Sequence, residues 1–587
     1  MPPGRSFLRV LFAIAAAVYA LPLLVSISLP FAYWDWLMTP YYQLRENAHE
    51  WGALFGNVVF TFFQDGIQFR PVSTILINLQ YLIFRGEFWL WYLVKWLVFA
   101  ACIYFVHKWV LVLTRSRWAA LASGAYFVLH PMPLVLDVIS QDAYVVLFGS
   151  MALTWLATKP GQEPFRQRLG PLSHVDFAVF LVLCALAALS KEIGVVFLIA
   201  LLILLLAGEW RDFSAKTLVR YGCLLALVLF CAFRIVQVRH PTSQVGLLFS
   251  GDVQEFIWHI VDRYMRTCGY LLPASSRSIL EILTGFCIGA GCVAIVVARR
   301  GLLPALLFAA SGLAGSIFVI ASAYSCPKYM PVPVMFFAFL VGIAIAALES
   351  SFAQAARVLA TVFVVLMAVA APAKIFSQWL GMTQSLYEMS DIINFMETKA
   401  REGYALRGTG LASENEVRWE KIATFREFFK ISSVRWYGYE RPIEFEVLKE
   451  KSPPANGRFV LLTSVTPKDI AQGALASVGV ASLRGVTGVY VYERERYGVF
   501  ETMTGWLKRL DRRLGIDLRD PIDCQPPQPS RFAPGMPNPM HPLAYFPFHA
   551  GPHFLYVFDG KSDAEPAPQD IEVNSLPPLR RYGSFGR

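Results

Sequence analysis

The sequence predicts an α-helical protein with many membrane spans, followed by a small α/β domain outside the membrane. Three observations predict this fold class. Of the 587 residues 56% are hydrophobic and only 16% are charged, and the mean hydropathy is +0.48. Soluble domains carry about 25% charged residues, so the composition excludes an ordinary soluble protein. The apolar residues are concentrated before residue 378, which makes residues 1–378 the membrane domain.

Long apolar segments place the individual spans. A helix needs roughly 20 apolar residues to cross the bilayer, and this length predicts about eleven spans. The polar segment 30–87 is then a large loop after the first span, and the amino-terminal segment stays in the membrane as an anchor. In chain order the predicted spans are 7–29, 88–113, 118–135, 142–158, 175–190, 192–207, 217–237, 278–298, 302–322, 331–348 and 355–376.

Basic residues recur in alternate loops, and they predict the orientation, because cytoplasmic loops retain Lys and Arg. All these loops fall on one side if the amino terminus is cytoplasmic. The 30–87 loop, the 239–277 loop and everything after the last span then lie outside, as in a bacterial inner-membrane protein with a periplasmic domain. The residues that set this orientation are Arg5, Arg9, Arg115, Arg117, Lys159, Arg166, Arg168, Arg211, Lys216, Arg220, Arg299 and Arg300.

The net charge does not indicate nucleic-acid binding, and the cysteine spacing does not indicate a cysteine-ligated metal site. The net charge of +10 comes largely from loop cations, so it does not indicate nucleic-acid binding. The nine cysteines show no metal-ligand spacing, and most lie inside predicted spans as small apolar residues. Cys268, Cys326 and Cys524 would lie outside, which leaves a disulfide among them open.

The composition changes after the last span. Residues 379–510 combine a helical pattern at 390–401 with strand-like runs at 458–464 and 488–492, which predicts a small extracytoplasmic α/β domain. Residues 511–587 are rich in proline and aromatic residues and are interpreted as a C-terminal tail. A basic amphipathic segment at 506–514 is expected to contact membrane lipid.

Five short motifs follow one another in the membrane domain. They are Asp35 after the first span, Phe69-Arg70-Pro71, Leu129-His130-Pro131, Leu189-Ser190-Lys191-Glu192 and Lys328-Tyr329-Met330-Pro331. Over residues 7–345 this order resembles the membrane region of the transmembrane O-mannosyltransferases that carry tetratricopeptide repeats, and of their bacterial relatives. These enzymes belong to the glycosyltransferase C (GT-C) superfamily, whose members move a sugar from a polyprenyl phosphate to an acceptor outside the cytoplasm.

The resemblance implies a GT-C-like membrane fold and the transfer of a sugar from a polyprenyl phosphate. The sequence departs from the family pattern in two ways. The family often carries paired acids after the first span, whereas here Trp36 follows Asp35. The tetratricopeptide repeats are absent from the sequence, so a protein acceptor is not implied, and glycan, lipid and protein acceptors all stay open.

Acidic residues of the predicted outer loops are the candidates for acid–base and sugar contacts. The resemblance implies that Asp35 is the general base, and glycosyl transfer needs a carboxylate to take the proton of the attacking hydroxyl. The alternative for Asp35 is a helix cap at the interface. Asp65, Asp137 and Asp142 are candidates for contacts with the sugar or the acceptor, against the alternative of solvated loop acids. His130 belongs to the same group, with a packed turn residue as its alternative.

Five cations are candidates for binding the donor phosphate. A leaving polyprenyl phosphate gains negative charge, which positioned cations stabilise, and the planar guanidinium fork suits phosphate. The alternative for Lys191 is a structural ion pair with Glu192 or another acid, and for Lys328 it is snorkelling to the interface. The five candidates are Arg70, Lys191, Arg263, Arg266 and Lys328.

The sequence as a whole predicts a membrane glycosyltransferase that inverts the anomeric centre and uses a polyprenyl-phosphate monosaccharide as donor. No cluster of metal ligands stands out in the sequence, and a role for Mg²⁺ or Mn²⁺ stays open. Two alternatives from other classes are a transporter or flippase of lipid-linked sugars and a catalytically inactive envelope scaffold.

Overall fold

The chain divides into two units, and their described residues are 70–365 in a helical unit and 392–559 in a sheet unit. The computed structural model describes residues 70–84, 88–129, 141–209, 213–237, 302–323, 330–358, 360–361, 365, 392, 395–409, 444–448, 457–463, 465–480, 485–491 and 554–559.

The described part of the first unit is mainly α-helical. In chain order the helices are α1 (Pro71–Phe84), α2 (Phe88–Thr114), α3 (Arg117–Leu129), α4 (Gln141–Ala157), α5 (His174–Ser190), α6 (Ile193–Glu209), α7 (Ala215–Gln237), α8 (Leu303–Ala323) and α9 (Pro331–Ser351).

Helices α2 to α9 each begin where the sequence predicts a span. Among the described residues, three helical stretches are long and apolar enough to cross a membrane, namely Leu93–Thr114, Ala215–Ile235 and Pro331–Ser351. Three shorter apolar stretches are His174–Ser190, Ile193–Glu209 and Leu303–Val319. The predicted spans 7–29 and 278–298 lie outside the described residues and 355–376 is described in part, so the total of about eleven spans stays a prediction.

Helix α1 lies in the segment that the sequence analysis assigned to the first outer loop, 30–87. Its 14 residues are fewer than the roughly 20 that a spanning helix needs, so the length criterion does not identify it as a span. Pro71 at the first helical position fixes the backbone where the helix begins. Ser73 donates a hydrogen bond of 2.5 Å to the carbonyl oxygen of Ser190, which joins α1 to the end of α5.

Helix α9 is the centre of the helical unit. It packs against α2, α3, α4 and α8, and 94% of its most apolar window is buried. The rings of Phe336 and Phe339 on α9 contact Phe308 on α8, and Phe339 also contacts Trp109 on α2 at 4.3 Å between ring centroids. Gly312 on α8 permits this packing, because a Cβ there would lie 2.1 Å from the Phe336 ring.

Helices α4, α5 and α6 run between the same two ends of the unit. Each has 17 residues and is therefore about 25 Å long, at roughly 1.5 Å per residue. This length is close to the roughly 30 Å thickness of the hydrocarbon core of a bilayer. The end where α1, α4 and α6 begin is called the cluster end below, and the end where α4 and α6 finish is called the basic end.

The loop between α4 and α5, residues 158–173, is built at the basic end around two buried charges. Glu209 accepts hydrogen bonds from the backbone N–H groups of Leu169 at 2.9 Å and Gly170 at 2.7 Å. Arg220 donates to the carbonyl oxygens of Leu169 and Leu172. Because a buried charge needs hydrogen-bond partners, the two side chains fix the conformation of this loop.

The second unit contains a five-stranded mixed sheet with the strand order β2-β1-β3-β5-β4. The strands β2, β1 and β3 are parallel, and β5 is antiparallel to both β3 and β4. Residues 395–401 are helical, and the Phe395 ring contacts Tyr490 of β4. The strands and the short helix are β1 (Ala405–Thr409), β2 (Phe445–Val447), β3 (Phe459–Thr463), α10 (Pro467–Ala471), β4 (Val486–Val491) and β5 (Phe554–Phe558).

The predicted strands 458–464 and 488–492 correspond to β3 and β4. The structure differs from the sequence analysis at β5, which lies in the segment interpreted as the C-terminal tail, 511–587. Its five residues are all buried, as are those of β3 beside it. Strands covered on both faces consist of continuous apolar residues, and Phe554-Leu-Tyr-Val-Phe558 has that pattern within a proline-rich region.

We predict that Leu555→Asp unfolds the sheet unit, because it places an unpaired carboxylate at a fully buried position between two strands. Limited proteolysis of the full-length protein in detergent would show new cleavage between residues 392 and 559. The matched control is Ser477→Asp, an exposed residue of the same unit, which should leave the cleavage pattern unchanged. Equal protease resistance of the two variants would show that the folded sheet unit does not depend on burial of β5.

Candidate functional site

Five polar side chains meet at the cluster end of the helical unit. They are Arg70 before α1, Gln141 and Asp142 at the start of α4, and Lys191 and Glu192 between α5 and α6. This set is called the polar cluster. Three separate parts of the chain contribute to it, so the helix packing, and not a local motif, brings the five side chains together.

Arg70 and Glu192 form the first ion pair of the polar cluster, 122 residues apart in the sequence. The Arg70 Nε lies 2.9 Å from both carboxylate oxygens of Glu192, and the Arg70 Nη2 lies 2.8 Å from Oε2. The Arg70 Nη1 donates to the side-chain oxygen of Gln141. The planar guanidinium is thus held along two edges, which fixes its orientation.

Lys191 and Asp142 form the second ion pair, in which the Lys191 Nζ donates to the Asp142 Oδ2. The two side chains are 8% and 4% exposed, so this pair is almost completely buried. The other carboxylate oxygen of Asp142, Oδ1, is buried and has no hydrogen-bond partner among the groups that the structure describes. One acceptor atom of the polar cluster is therefore left over for a donor that the described protein groups do not supply.

Lys191, between α5 and α6, has a shifted pKa. Burial lowers the pKa of Lys191, and the negative charge of Asp142 opposes this effect only in part. The charge and hydrogen bonds of Arg70 stabilise the ionised carboxylate of Glu192. Each charge of the polar cluster thus depends on its partner.

A tight turn between α5 and α6 positions Lys191 and Glu192. Lys191 has extended backbone angles, and the N–H groups of Gly194 and Val195 donate to the carbonyl oxygens of Lys191 and Glu192. A Cβ on Gly194 would lie 2.3 Å from the Ala187 carbonyl oxygen. The close approach of the two helix ends therefore requires glycine at this position.

The arrangement can hold an anion without acquiring a large net charge. Two cations and two carboxylates alternate through the polar cluster, and the carboxylates orient the cations before a ligand arrives. Removing one partner of a buried ion pair typically costs about 3–5 kcal/mol, so the Lys191–Asp142 pair also holds α4 to the α5–α6 turn. Within the described part of the chain, no group of three His, Cys, Asp or Glu side chains has the geometry to hold a metal ion.

The structure brings together three of the residues singled out from the sequence, Arg70, Lys191 and Asp142. It pairs Lys191 with Asp142, and Glu192 with Arg70, whereas the sequence had left open a pair between Lys191 and Glu192 or another acid. Gln141 was not among the residues predicted from the sequence. A polar side chain at the start of an apolar helix is the feature of the sequence that could have identified it. The candidates outside the described residues are Asp35, Asp65, His130, Asp137, Arg263, Arg266 and Lys328.

Comparison of the chain with protein-family models, with curated proteins and with solved structures found no match.

We predict that Gly194→Ala destabilises the protein by about 1–3 kcal/mol, as overpacking in a close contact usually does. The added methyl would meet the backbone of α5, which cannot move away as a flexible side chain can. Thermal melting in detergent provides the measurement. The matched control is Gly222→Ala on α7, where a Cβ would meet nothing within 4 Å.

The control should be neutral or stabilising by up to about 1 kcal/mol, because alanine is the better helix former. A Gly194→Ala protein that melts at the temperature of the control would show that the turn tolerates a side chain. The close approach of α5 and α6 would then not hold the polar cluster.

Proposed function

We propose that the protein is an integral-membrane glycosyltransferase that transfers a monosaccharide from a polyprenyl-phosphate carrier to an acceptor outside the cytoplasm. The observation that supports this best is the meeting of Arg70 and Lys191 at one end of the helical unit, each oriented by a carboxylate. Both had been singled out as phosphate ligands from separate motifs far apart in the chain. The GT-C resemblance of the sequence supplies the reaction class.

The distribution of basic residues supports an outward position of the polar cluster. Arg and Lys residues are numerous at the basic end, and such residues mark the cytoplasmic side of a membrane protein. With the basic end in the cytoplasm, the polar cluster lies at the external face. The described residues concerned are Arg115, Arg117, Lys159, Arg166, Arg168, Lys216 and Arg220.

In the proposed reaction, an acceptor hydroxyl attacks the anomeric carbon from the side opposite the phosphate. The bond between that carbon and the phosphate oxygen breaks, and the bonding electrons leave with the polyprenyl phosphate. Asp35 takes the proton of the attacking hydroxyl as general base, so the configuration at the anomeric carbon inverts.

The leaving phosphate is stabilised by Arg70 and Lys191, whose orientation is fixed in advance by Glu192 and Asp142. The proposal extends to Lys328, Arg263 and Arg266 as further phosphate ligands. It also assigns contacts with the sugar or acceptor to Asp142, through its unpartnered Oδ1, and to Asp65, Asp137 and His130. The donor carries its own activation as a phosphate ester.

We predict that Asp35→Asn reduces transfer of radiolabelled sugar from polyprenyl phosphate by ~100- to 10,000-fold, because the amide cannot accept the proton. Expression and thermal melting should stay unchanged. The matched control is Glu163→Gln in the α4–α5 loop, whose side chain is 58% exposed and which should transfer at the wild-type rate.

Three other outcomes of this assay would overturn parts of the proposal. Normal transfer by Asp35→Asn, with loss in Asp65→Asn, Asp137→Asn or Asp142→Asn, would move the base to another residue. Movement of labelled lipid across proteoliposomes without transfer would indicate a flippase. Wild-type protein that neither transfers nor moves the lipid would indicate a scaffold.

We also predict that Arg70→Lys lowers turnover on the order of 100-fold, the usual effect of removing a donor to a developing negative charge. A lysine keeps the charge opposite Glu192 but cannot reproduce the two-edged contacts of the guanidinium with Glu192 and Gln141. Transfer assays would compare it with Arg117→Lys, an exposed residue at the basic end. Equal turnover of the two variants would assign Arg70 a structural role only.

A further inference from the structure

The basic end of the helical unit carries three arginines around a single carboxylate, a group that the proposed reaction does not use. Glu349, near the end of α9, accepts a hydrogen bond from the Ser116 hydroxyl between α2 and α3. The other oxygen of this carboxylate lies 3.8 Å from the Arg357 Nε. Arg115 and Arg117 flank Ser116 in the chain. The Glu349 carboxylate thus brings Arg115, Arg117 and Arg357 to one place, and the three are called the arginine patch.

The described acidic residues do not neutralise the arginine patch. The side chain of Arg357 is 57% exposed, and Arg115 and Arg117 are exposed as well. The ion pairs among the described residues include neither Arg115 nor Arg117. Three arginines and one glutamate leave a formal charge of +2 at this surface. Exposed charges act over about 10 Å at 0.1 M salt, so the patch attracts anions from solution or from a lipid surface.

The arginine patch lies where two membrane-length helices end. The stretches Leu93–Thr114 and Pro331–Ser351 are both long and apolar enough to cross a membrane. The first ends directly before Arg115, and Glu349 lies in the last turn of the second. The hydrogen bond between Ser116 and Glu349 joins the two ends at one level. Such helix ends mark the boundary between the hydrocarbon core and the polar head groups.

Large apolar side chains are exposed beside the arginines. Phe352, the residue after α9, is 65% exposed, and Val358, next to Arg357 in the chain, is 58% exposed. At the boundary of a membrane, such side chains contact acyl chains. Cations beside exposed apolar groups are the combination that interfacial segments present to anionic lipids.

An anionic phospholipid matches both the charge and the apolar surroundings of the arginine patch. Its head group supplies negative charge, and its acyl chains cover the exposed apolar side chains. A free phosphate would use only the charge, and a zwitterionic lipid has no net charge for the patch to attract. Each cation next to an anionic leaflet contributes a factor of about five in affinity, so the net charge of the patch favours anionic lipid over zwitterionic lipid.

We propose that the arginine patch binds the head groups of anionic phospholipids where α2 and α9 leave the membrane. The attraction follows the net charge, so a lysine at one of the three positions would preserve it. The patch lies at the opposite end of the helical unit from the polar cluster and takes no part in sugar transfer. Lipid binding here does not depend on the transferase reaction.

Native mass spectrometry of the full-length protein in detergent counts bound lipids and tests the proposal directly. Phosphatidylglycerol and phosphatidylcholine with the same acyl chains are the two probes. At low salt, the wild-type protein should bind phosphatidylglycerol on the order of 25-fold more tightly, because two net charges each contribute about fivefold. The double variant Arg115→Gln with Arg117→Gln removes both net charges and should bind the two lipids equally. Its melting temperature should not change, since both positions are exposed.

Three control variants separate the arginine patch from the overall charge of the protein. Arg401→Gln with Lys468→Gln removes two exposed cations from the sheet unit and should keep the preference for phosphatidylglycerol. Arg117→Lys keeps the net charge of the patch and should keep the preference too. Glu349→Gln removes the negative charge beside the patch and should strengthen phosphatidylglycerol binding about fivefold, a change opposite to that expected from a loss of structure.

Equal affinity of the wild-type protein for the two lipids would overturn the proposal. Loss of the preference in the sheet-unit variant as well would assign the preference to overall charge and would also overturn it. Displacement of bound phosphatidylglycerol by millimolar glycerol 3-phosphate, which carries the charge without acyl chains, would identify a free-phosphate site in place of a lipid site, with the same consequence.

Discussion

The helical unit depends on the rule that a buried charge needs a partner. An unpaired charge between helices costs several kcal/mol, and removing one partner of a buried pair leaves that cost uncompensated. Lys191 is buried against Asp142, and the half-buried Arg70 lies against Glu192. This requirement fixes where the start of α1, the start of α4 and the α5–α6 turn meet.

The two ends of the helical unit meet this requirement in different ways. At the basic end, Glu209 and Arg220 are satisfied mainly by backbone N–H and carbonyl groups of the α4–α5 loop. Replacing these partners would require the loop to unfold. At the cluster end the partners are other polar or charged side chains, which hold Arg70 and Lys191 in a fixed orientation. This difference favours the cluster end as the place for chemistry.

The sequence predicted much of the fold, because apolar length and periodicity are local properties. The starts of α2 to α9 and the strands β3 and β4 follow from them. Helix α1 was assigned to a loop because it is shorter than a span, and β5 was assigned to the tail because proline-rich sequence surrounds it. For β5, the continuous apolar residues 554–558 were a signal in the sequence.

Less of the candidate site could be predicted. Arg70, Lys191 and Asp142 were candidates from their residue types and positions next to apolar segments. The pairing of Arg70 with Glu192 and of Lys191 with Asp142 depends on how distant helices pack, and no local pattern contains that information.

The central claim is that the polar cluster is retained for function and not for stability. The double variant Lys191→Met with Asp142→Leu tests it, since apolar residues of similar volume often replace a buried ion pair without loss of stability. We expect the double variant to melt at or above the wild-type temperature, each single variant to melt well below it, and the double variant to transfer no sugar. Wild-type sugar transfer by a stable double variant would contradict the claim.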